Sequence, residues 1–390
     1  MNIIYCGCFR LPNYDAAAPR VLNNARAMHA LGHQVLFISW GGEYQNTDLC
    51  EDGKYRIDGM EYIVTNELDQ KGTLLCKFYN LLHRGDKTIE ILNSIPRKPD
   101  LIIMYNADFY WTKRMIRYCK KNNIKLANDI TEWYNNNELH FWDIIPNYVN
   151  MTYLQRKVLN KICISTYLKD YYYESNNLLL PPLCNHSDSK WKTNIEDERV
   201  KSFNGITIIY AGNPAKKDCV HTVINTVNKL AHEGKSIRFL ILGVTRDIYI
   251  KRYHKMIDAN DLHENILFLG RVSQDKIPAY YKKADFMVLL RKTIRKNMAG
   301  FPTKFAESLS AGIPVIANIT SDLGNYIING HTGFVLADES ANSLEKAIHK
   351  VLTLSRVQVE KMKRETKIIA PTFDFTNWKD EIKLFLENLK

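Results

Sequence analysis

The chain has 390 residues, of which 45% are hydrophobic and 24% charged, with 18 Gly and 12 Pro. These proportions are those of a globular protein of two or three domains, and they exclude a single small module, a collagen-like chain and a disordered one. The formal net charge is +11, and residues 201–390 supply most of it, with 29 Lys and Arg against 19 Asp and Glu. An anionic ligand of the second half is the simplest explanation.

Short apolar runs alternate with longer amphipathic stretches from the first residues onward. This alternation is typical of a parallel, doubly wound α/β sheet. In the first half we predict strands at Ile3–Cys6, Gln34–Trp40, Leu101–Tyr105, Ile124–Asn128 and Lys161–Ser165, and helices at Ala16–Leu31 and Phe109–Lys121.

The alternation stops after Pro181-Pro182 and starts again near residue 205. We therefore predict an N-terminal domain over 1–185, a linker over 186–204 and a second domain over 205–370. The remaining residues, 371–390, form an amphipathic helix that could pack on either half, and crossing back onto the N-terminal domain is one option. In the second half we predict strands at Ile206–Tyr210, Ile237–Leu242, Ile266–Leu269, Phe286–Leu290 and Pro314–Ala317, and helices at Cys219–Glu233, Ile277–Lys283 and Lys304–Ser310.

Ligands of such sheets bind in the loops after the strands, so we expect the function there. The first loop has the single Gly7 and no G-x-G-x-x-G, which argues against a dinucleotide-dependent dehydrogenase. Ala16 and Ala17 open the next helix without bulky side chains, so its N–H groups could approach a phosphate. Equally, these alanines could simply be good helix formers.

Two segments of the second half combine glycine with cationic residues. Gly212 is followed by Lys216 and Lys217, although a single surface lysine pair is usually only solvated. The stronger segment is 291–318, in which Gly300 precedes a helix start. Its candidate ligands for a phosphate and a ribose are Arg291, Arg295, Lys296, Thr303, Lys304 and Glu307.

The sequence PTKFAESLSAGIPVIAN at 302–318 resembles the signature of retaining glycosyltransferases with the GT-B fold, specifically family 4. Further similar segments follow the same order along almost the whole chain: LGHQV at 31–35, YAGNPAKKD at 210–218, FLGRVSQDKIPAYYKKADFMVLLR at 268–291 and NGHTGF at 329–334. The resemblance implies two Rossmann-like domains facing a central cleft. It also implies that the C-terminal domain binds a nucleotide sugar and the N-terminal domain an acceptor.

The resemblance assigns roles to individual residues. Glu307 matches the second Glu of the family's E-x7-E motif, which binds the donor ribose, and Lys217 matches the lysine that neutralises the leaving diphosphate. Thr303, Lys304 and Phe305 match the helix start on the diphosphate, and Arg271 and Val272 the loop against the base. The expected donor-binding set is completed by Gly212, Asn213, Lys216, Arg291 and Gly300.

Two positions depart from the family pattern. Ala299 stands where the first Glu of E-x7-E would be, and Asn213 stands where an arginine usually follows the glycine; Lys217 also comes one residue early. A phosphate cation is therefore missing, and we expect Arg291, Arg295, Lys296 or Lys304 to replace it.

The N-terminal domain offers Asp129, Glu132 and His140 after a predicted strand. The family commonly places an acid or histidine near this loop to orient the acceptor or the transferred sugar. A carboxylate there could also stabilise oxocarbenium charge. Each of the three could instead only cap or anchor a loop.

From the resemblance we expect a retaining transfer of a hexose-type sugar to a glycan, lipid-linked or not, in surface polysaccharide or glycoconjugate synthesis. We expect that the protein uses neither a metal nor another cofactor, that it has no nucleic-acid partner, and that it is located in the cytoplasm. The alternatives are a nucleotide-sugar epimerase of the same fold and a catalytically degenerate protein that binds sugar nucleotides. A basic run within 113–125 could lie on an anionic membrane, or it could be an ordinary solvated helix face.

Overall fold

The computed structural model describes residues 1–12, 15–41, 54–67, 73–214 and 217–390, without the side chains of residues 74, 75 and 77. Within these ranges the chain forms two compact units. Unit 1 contains Met1–Cys184, Ala299–Phe301 and Phe375–Lys390, and unit 2 contains Asn185–Met298 and Pro302–Asp374. The segment 186–204 therefore groups with unit 2. Each unit has its own largely parallel sheet.

Unit 1 is built, in its described residues, around an eight-stranded sheet of order β3-β4-β2-β1-β5-β6-β7-β8. Neighbouring strands are parallel except for the β3–β4 hairpin. Its elements are β1 (Asn2–Gly7), α1 (Ala17–Ala30), β2 (Gln34–Ser39), β3 (Tyr55–Ile57), β4 (Met60–Val64), α2 (Leu74–Leu82), α3 (Asp86–Ser94), β5 (Leu101–Tyr105), α4 (Phe109–Asn122), β6 (Lys125–Ile130), α5 (Phe141–Val149), β7 (Asn160–Cys163), α6 (Thr166–Tyr171) and β8 (Asn176–Leu179).

Alternate residues of β1 face two separate hydrophobic cores. Ile3 and Tyr5 pack with α1, while Ile4 and Cys6 pack with Trp111 of α4. Because side chains alternate across a strand, this arrangement covers both faces of the sheet. A strand buried on both faces is apolar throughout, which is why the run at β5 could be predicted from the sequence.

Unit 2 has a fully parallel sheet of order β11-β10-β9-β12-β13-β14. In sequence order this is 3-2-1-4-5-6, the doubly wound arrangement, and the predicted α/β fold class is confirmed. Its elements are β9 (Ile206–Ala211), α7 (Val220–His232), β10 (Ile237–Leu242), α8 (Arg246–Tyr253), β11 (Ile266–Gly270), α9 (Ile277–Lys282), β12 (Phe286–Leu289), α10 (Arg295–Ala299), α11 (Thr303–Ser310), β13 (Val315–Asn318), β14 (Gly333–Leu336), α12 (Ala341–Leu352) and α13 (Arg356–Ile369).

The last segment of the chain packs in unit 1. Its helix α14 (Lys379–Glu387) lies against α1 and β8, and Ile382 and Phe385 are buried in the same core as β1. Asn176 Nδ2 of β8 donates a hydrogen bond to the Phe385 carbonyl (3.1 Å). Apart from the short segment Ala299–Phe301, the chain thus leaves unit 1 at Cys184 and returns at Phe375. These two residues are joined by a backbone hydrogen bond of 3.0 Å.

Candidate functional site

The strand order of unit 2 reverses between β9 and β12, and ligands of doubly wound sheets bind at the carboxyl ends of the strands flanking such a reversal. The loop after β9 contains Asp218, and the chain leaves β12 just before Arg291. These two residues pair as an isolated antiparallel β-bridge. Both loops therefore meet at the reversal point, and the residues around the bridge form the candidate site.

A buried ion cluster occupies this point. Asp218 accepts hydrogen bonds from Arg291 Nε (2.8 Å), Lys304 Nζ (2.7 Å) and the Tyr210 hydroxyl (2.5 Å). Lys304 Nζ also donates to the Tyr210 hydroxyl (2.5 Å) and lies 4.0 Å from the centroid of its ring. The side chains of Asp218, Arg291 and Lys304 are 2%, 5% and 14% exposed. Two cations share one carboxylate, so these four residues, the Asp218 cluster, carry one net positive charge.

Burial and charge act in opposite directions on the ionised groups of the Asp218 cluster. Burial raises the pKa of Asp218, but Lys304 and Arg291 together hold it well below its usual range. Burial lowers the pKa of Lys304 to about 8, while Asp218 acts to raise it and Arg291 to lower it further. At pH 7 the cluster is therefore charged, and Lys304 loses its proton in mildly alkaline solution.

Two glycines bring backbone close to this cluster. Gly212 has a φ of +138°, and a Cβ there would lie 3.0 Å from Lys304 Nζ. Gly243, after β10, has a φ of +102°, and its Cβ would lie 2.4 Å from the Gly212 carbonyl oxygen. The loops after β9 and β10 thus pack backbone against backbone, and the missing side chain of Gly212 leaves space beside the ammonium group.

The start of α11 is anchored in the interior of unit 2. Phe305 is buried, and its ring packs against the rings of Tyr326 and Phe373. Its N–H donates to the Pro302 carbonyl (3.0 Å). Of the three residues predicted at the helix start, Phe305 therefore has both its side chain and its amide engaged within the unit, whereas Thr303 is partly exposed and Lys304 joins the Asp218 cluster.

Glu307 lies one turn after Lys304 on α11 and is partly buried. Burial raises its pKa, while Lys190 and Lys304 act in the opposite direction. Across the part of the chain that the structure describes, no group donates a hydrogen bond to its carboxylate. The carboxylate is therefore available to hydroxyl groups of a ligand.

The loop after β9 recruits an arginine from elsewhere in unit 2. Arg252 of α8 donates from Nη1 to Asn213 Oδ1 (3.2 Å) and to the Pro214 carbonyl (3.1 Å). An arginine thus reaches the loop in which Asn213 replaces the expected one. Lys216 lies outside the described residues. Lys217 acts to lower the pKa of Lys304, so it lies within electrostatic range of the Asp218 cluster.

The other predicted donor residues lie on loop and helix starts. Arg271 and Val272 follow β11 directly, with Arg271 exposed and Val272 partly exposed. Arg295 and Lys296 open α10. Gly300 belongs to the segment Ala299–Phe301, which groups with unit 1.

Asp129, the first candidate of unit 1, is fully buried at the end of β6. Its carboxylate accepts hydrogen bonds from Arg20 Nη2 (2.7 Å), Arg20 Nε (3.0 Å), the Tyr5 hydroxyl (2.5 Å) and Asn24 Nδ2 (3.2 Å). Arg20 also donates to the Leu180 carbonyl (2.9 Å). Both carboxylate oxygens are thus occupied by groups of unit 1, and a catalytic role for Asp129 stays a prediction.

The other two candidates of unit 1 have different surroundings. Glu132 is partly buried and hydrogen-bonds to Tyr134, whose pKa is raised by burial and by Glu132. His140 is exposed immediately before α5, and its ring stacks on Trp142 at 4.7 Å. Glu132 and His140 are therefore accessible from outside the unit, unlike Asp129.

The first turn of α1 already holds an anion of the chain itself. Asp15 Oδ1 accepts hydrogen bonds from the N–H groups of Ala17 (3.1 Å) and Ala18 (2.9 Å). Burial raises the pKa of Asp15. A phosphate at Ala16 and Ala17, as the sequence suggested, would have to displace this carboxylate.

Sequence analysis missed Asp218, Tyr210 and Arg252. Asp218 stands just before an apolar helix start, where an acid usually caps the helix, and its partner Arg291 is 73 residues away. Tyr210 looks like an ordinary aromatic residue at the end of a buried strand. Only the strand order, which places the loops after β9 and β12 side by side, could have indicated that these residues meet.

This region is similar to a known protein family. Residues 192–369 match the family model described as glycosyl transferases group 1. A Salmonella typhimurium protein, provisionally named colanic acid biosynthesis glycosyltransferase WcaL, is 24% identical over 140 residues, 36% of this chain and 34% of that protein. An uncharacterized glycosyltransferase of Methanocaldococcus jannaschii is 22% identical over 191 residues, 48% of this chain and 46% of that protein. The chain thus matches between a third and a half of the length of these curated relatives.

Solved structures resemble the whole chain. Sucrose-phosphate synthase from Thermosynechococcus elongatus superimposes with a TM-score of 0.73 at 14% identity, covering 99% of this chain and 97% of that one. Anabaena HepE, solved with UDP and glucose, gives 0.73 at 14% identity and covers both chains completely. A glycosyltransferase from Rickettsia africae gives 0.71 at 17% identity, covering 99% of each chain. These likenesses show that the fold is that of GT-B glycosyltransferases.

Proposed function

We propose that the protein is a glycosyltransferase that moves a sugar from a nucleoside diphosphate to a hydroxyl of a glycan acceptor, with retention at the anomeric carbon. The observation that carries this proposal is the Asp218 cluster next to Glu307, within the residues that match the group 1 model. The cluster offers cations for a diphosphate. One turn along α11, Glu307 offers a carboxylate for the vicinal hydroxyls of a ribose.

Named relatives support the class of product and of donor. WcaL is named for colanic acid biosynthesis, and a Mycobacterium tuberculosis relative, 26% identical over 106 residues, is named a GDP-mannose-dependent mannosyltransferase acting on a phosphatidylinositol monomannoside. We therefore propose that this chain acts in surface polysaccharide or glycoconjugate synthesis on a lipid-linked acceptor. The donor is a nucleotide sugar such as the UDP-glucose held by HepE.

In the proposed reaction unit 2 binds the donor. Lys304, Arg291 and Lys217 stabilise the negative charge that develops on the departing diphosphate, so the transfer needs no metal cofactor. Arg271 and Val272 lie against the base. In unit 1, Glu132, His140 and Asp129 are the candidates that position the acceptor or the transferred sugar.

Replacing Glu307 with alanine tests the donor site. Thermal unfolding is measured with UDP, GDP, ADP and CMP, and with NAD as a non-ligand. A nucleoside diphosphate at 100 times its Kd stabilises the wild-type protein by about 2.7 kcal/mol. Loss of charge-assisted hydrogen bonds to the ribose is expected to weaken that nucleotide about 10- to 100-fold in Glu307→Ala.

The matched control is Glu345→Ala, an acid of α12 that pairs with Lys229 (2.8 Å). It is expected to bind the nucleotide as tightly as the wild-type protein. Equal binding by Glu307→Ala and Glu345→Ala would remove Glu307 from the site, and the absence of binding by every nucleotide would contradict the proposed function.

Product analysis separates the proposal from its two alternatives. A transferase forms its main product only when an acceptor is present. An epimerase of the same fold would convert the sugar nucleotide without any acceptor, and a degenerate binding protein would bind the nucleotide but form no product with any acceptor offered.

We also propose peripheral contact of unit 1 with an anionic membrane. Over the described residues, no helix is long and apolar enough to cross a membrane. Three large apolar side chains, Phe141, Ile145 and Tyr148, recur on one side of α5 and are between 61% and 79% exposed.

Helix α5 packs against α4. The exposed basic residues of α4 are Lys113, Arg117, Lys120 and Lys121. An apolar stripe next to a basic helix suits the interface of an anionic bilayer.

Replacing Phe141, Ile145 and Tyr148 together with serine is expected to reduce binding to phosphatidylglycerol-containing vesicles about tenfold or more, because their apolar surface no longer enters the bilayer. Co-sedimentation measures the effect. The control variant carries Val357→Ser and Ile368→Ser on α13, which are 75% and 77% exposed in unit 2. Equal losses in both variants, or equal binding to purely zwitterionic vesicles, would contradict membrane contact through this surface.

A further inference from the structure

We infer that Asp218 is a positioning residue of the donor site, which holds Lys304 and Arg291 together as a two-cation seat for the diphosphate. The inference rests on the proposed function for the identity of the ligand. It goes further by assigning the construction of the phosphate site to a carboxylate, a group that by itself repels phosphate.

The two cations need an anion between them. Lys304 and Arg291 both lie within hydrogen-bond distance of the one Asp218 carboxylate, at 2.7 and 2.8 Å, and both are largely buried. Without that carboxylate their mutual repulsion and burial would favour separation of the side chains or loss of the Lys304 proton. Asp218 therefore keeps both charges present and close together.

Donor groups remain for a ligand after Asp218 has been satisfied. A lysine ammonium has three N–H groups, and among the described residues Lys304 Nζ finds two acceptors, Asp218 and the Tyr210 hydroxyl. The third can reach a phosphate oxygen in the space beside Gly212, where a Cβ would lie 3.0 Å from Nζ. Asp218 engages Nε of Arg291, so the Nη groups lie outside this ion pair.

The charged state of Lys304 gives the inference a measurable signature. The groups that act on its titration are Asp218, Arg291 and Lys217, with the Tyr210 hydroxyl in contact and Glu307 one turn away. Because a diphosphate prefers the ammonium form, its affinity is expected to fall as the pH rises above about 8, by up to about tenfold per pH unit. Loss of the Asp218 charge lowers the pKa of Lys304, so the decline then begins at a lower pH.

The experiment is calorimetric titration of Asp218→Asn and of the wild-type protein with UDP and GDP, and with uridine and guanosine, between pH 7 and 10. We expect the bound diphosphate to weaken about 10-fold or more in Asp218→Asn, with its decline shifted to lower pH, while the nucleoside binds as before. Equal affinity and an equal pH profile would overturn the inference. Equal weakening of diphosphate and nucleoside binding would also overturn the inference, because it would show a merely structural effect of the substitution. Tighter diphosphate binding at every pH would overturn it as well, because it would show that Asp218 only neutralises the two cations.

Tyr210→Phe keeps the aromatic packing and removes only the hydroxyl, which donates to Asp218 and accepts from Lys304. It therefore decides the question if Asp218→Asn does not fold: a shifted pH profile supports the inference and an unchanged one overturns it. If none of UDP, GDP, ADP and CMP binds the wild-type protein, the proposed function fails by itself. Titration with inorganic pyrophosphate then tests the two-cation phosphate site alone. The inference about Asp218 is overturned if pyrophosphate does not bind, or if it binds equally to the wild-type protein and to Tyr210→Phe.

Discussion

Replacement of Asp129 with alanine is expected to lower the free energy of unfolding of unit 1 by about 3–5 kcal/mol, because Arg20 then remains buried without its counter-ion. The Tyr5 hydroxyl and Asn24 Nδ2 also lose their acceptor. Five of the six tryptophans, Trp40, Trp111, Trp133, Trp142 and Trp378, lie in unit 1, so their fluorescence during urea unfolding measures the effect.

Two further variants serve as comparisons for Asp129→Ala and help to distinguish a structural role of Asp129 from a catalytic one. Glu132→Gln is expected to unfold like the wild-type protein and to lose transfer activity if Glu132 acts on the sugar. The double variant Arg20→Met with Asp129→Leu removes both charges and is expected to recover part of the lost stability. An Asp129→Ala protein with wild-type stability and no transfer activity would instead assign Asp129 to catalysis.

Replacement of Gly243 with alanine is expected to lower the free energy of unfolding by about 2–5 kcal/mol, because alanine is strained at this positive φ and its Cβ would overlap backbone atoms. The new Cβ would lie 2.4 Å from the Gly212 carbonyl oxygen and 2.9 Å from the Asn213 nitrogen. Because neither atom can move without shifting the loop after β9, binding of the nucleoside diphosphate is expected to weaken as well. Urea unfolding and calorimetric titration measure the two effects.

Gly234 offers a matched control in the same unit. It also has a positive φ, +77°, but nothing lies within 4 Å of where its Cβ would be. Gly234→Ala is expected to cost only about 1 kcal/mol and to leave nucleotide binding unchanged. Equal losses in the two variants would show that backbone strain alone, and not the contact between loops, is responsible.

Most strands could be predicted from the sequence because burial on both faces makes them continuous apolar runs. Leu101–Tyr105 and Ile237–Leu242 coincide with β5 and β10, and the other predicted strands end within two residues of the observed ones. Helix α5 was missed because Pro146 lies within it. A proline inside an otherwise helical pattern predicts that the helix ends or kinks at the preceding residue, although the apolar residues of α5 recur with helical spacing.

The candidate site was predictable only where one segment carries it. Lys304 and Glu307 stand close together in a recognisable motif, so their importance could be inferred. Asp129 resembles an active-site acid at the end of a strand, yet the structure engages it with Arg20, 109 residues away on the inner side of α1. Sequence patterning treats an arginine in an amphipathic helix as exposed, so this buried pair could not be anticipated.

The return of the chain to unit 1 at Phe375 has a consequence for synthesis on the ribosome. Residues 1–184 are translated before unit 2, but the surface of α1 that receives Ile382 and Phe385 stays uncovered until the 190 residues of 185–374 and then the residues up to Phe385 have been translated. Unit 2 can complete its sheet in that interval, since domains fold as units while the chain grows. The domain that is begun first is therefore finished last, and its uncovered apolar surface is the stretch of the nascent chain that chaperones would be expected to protect.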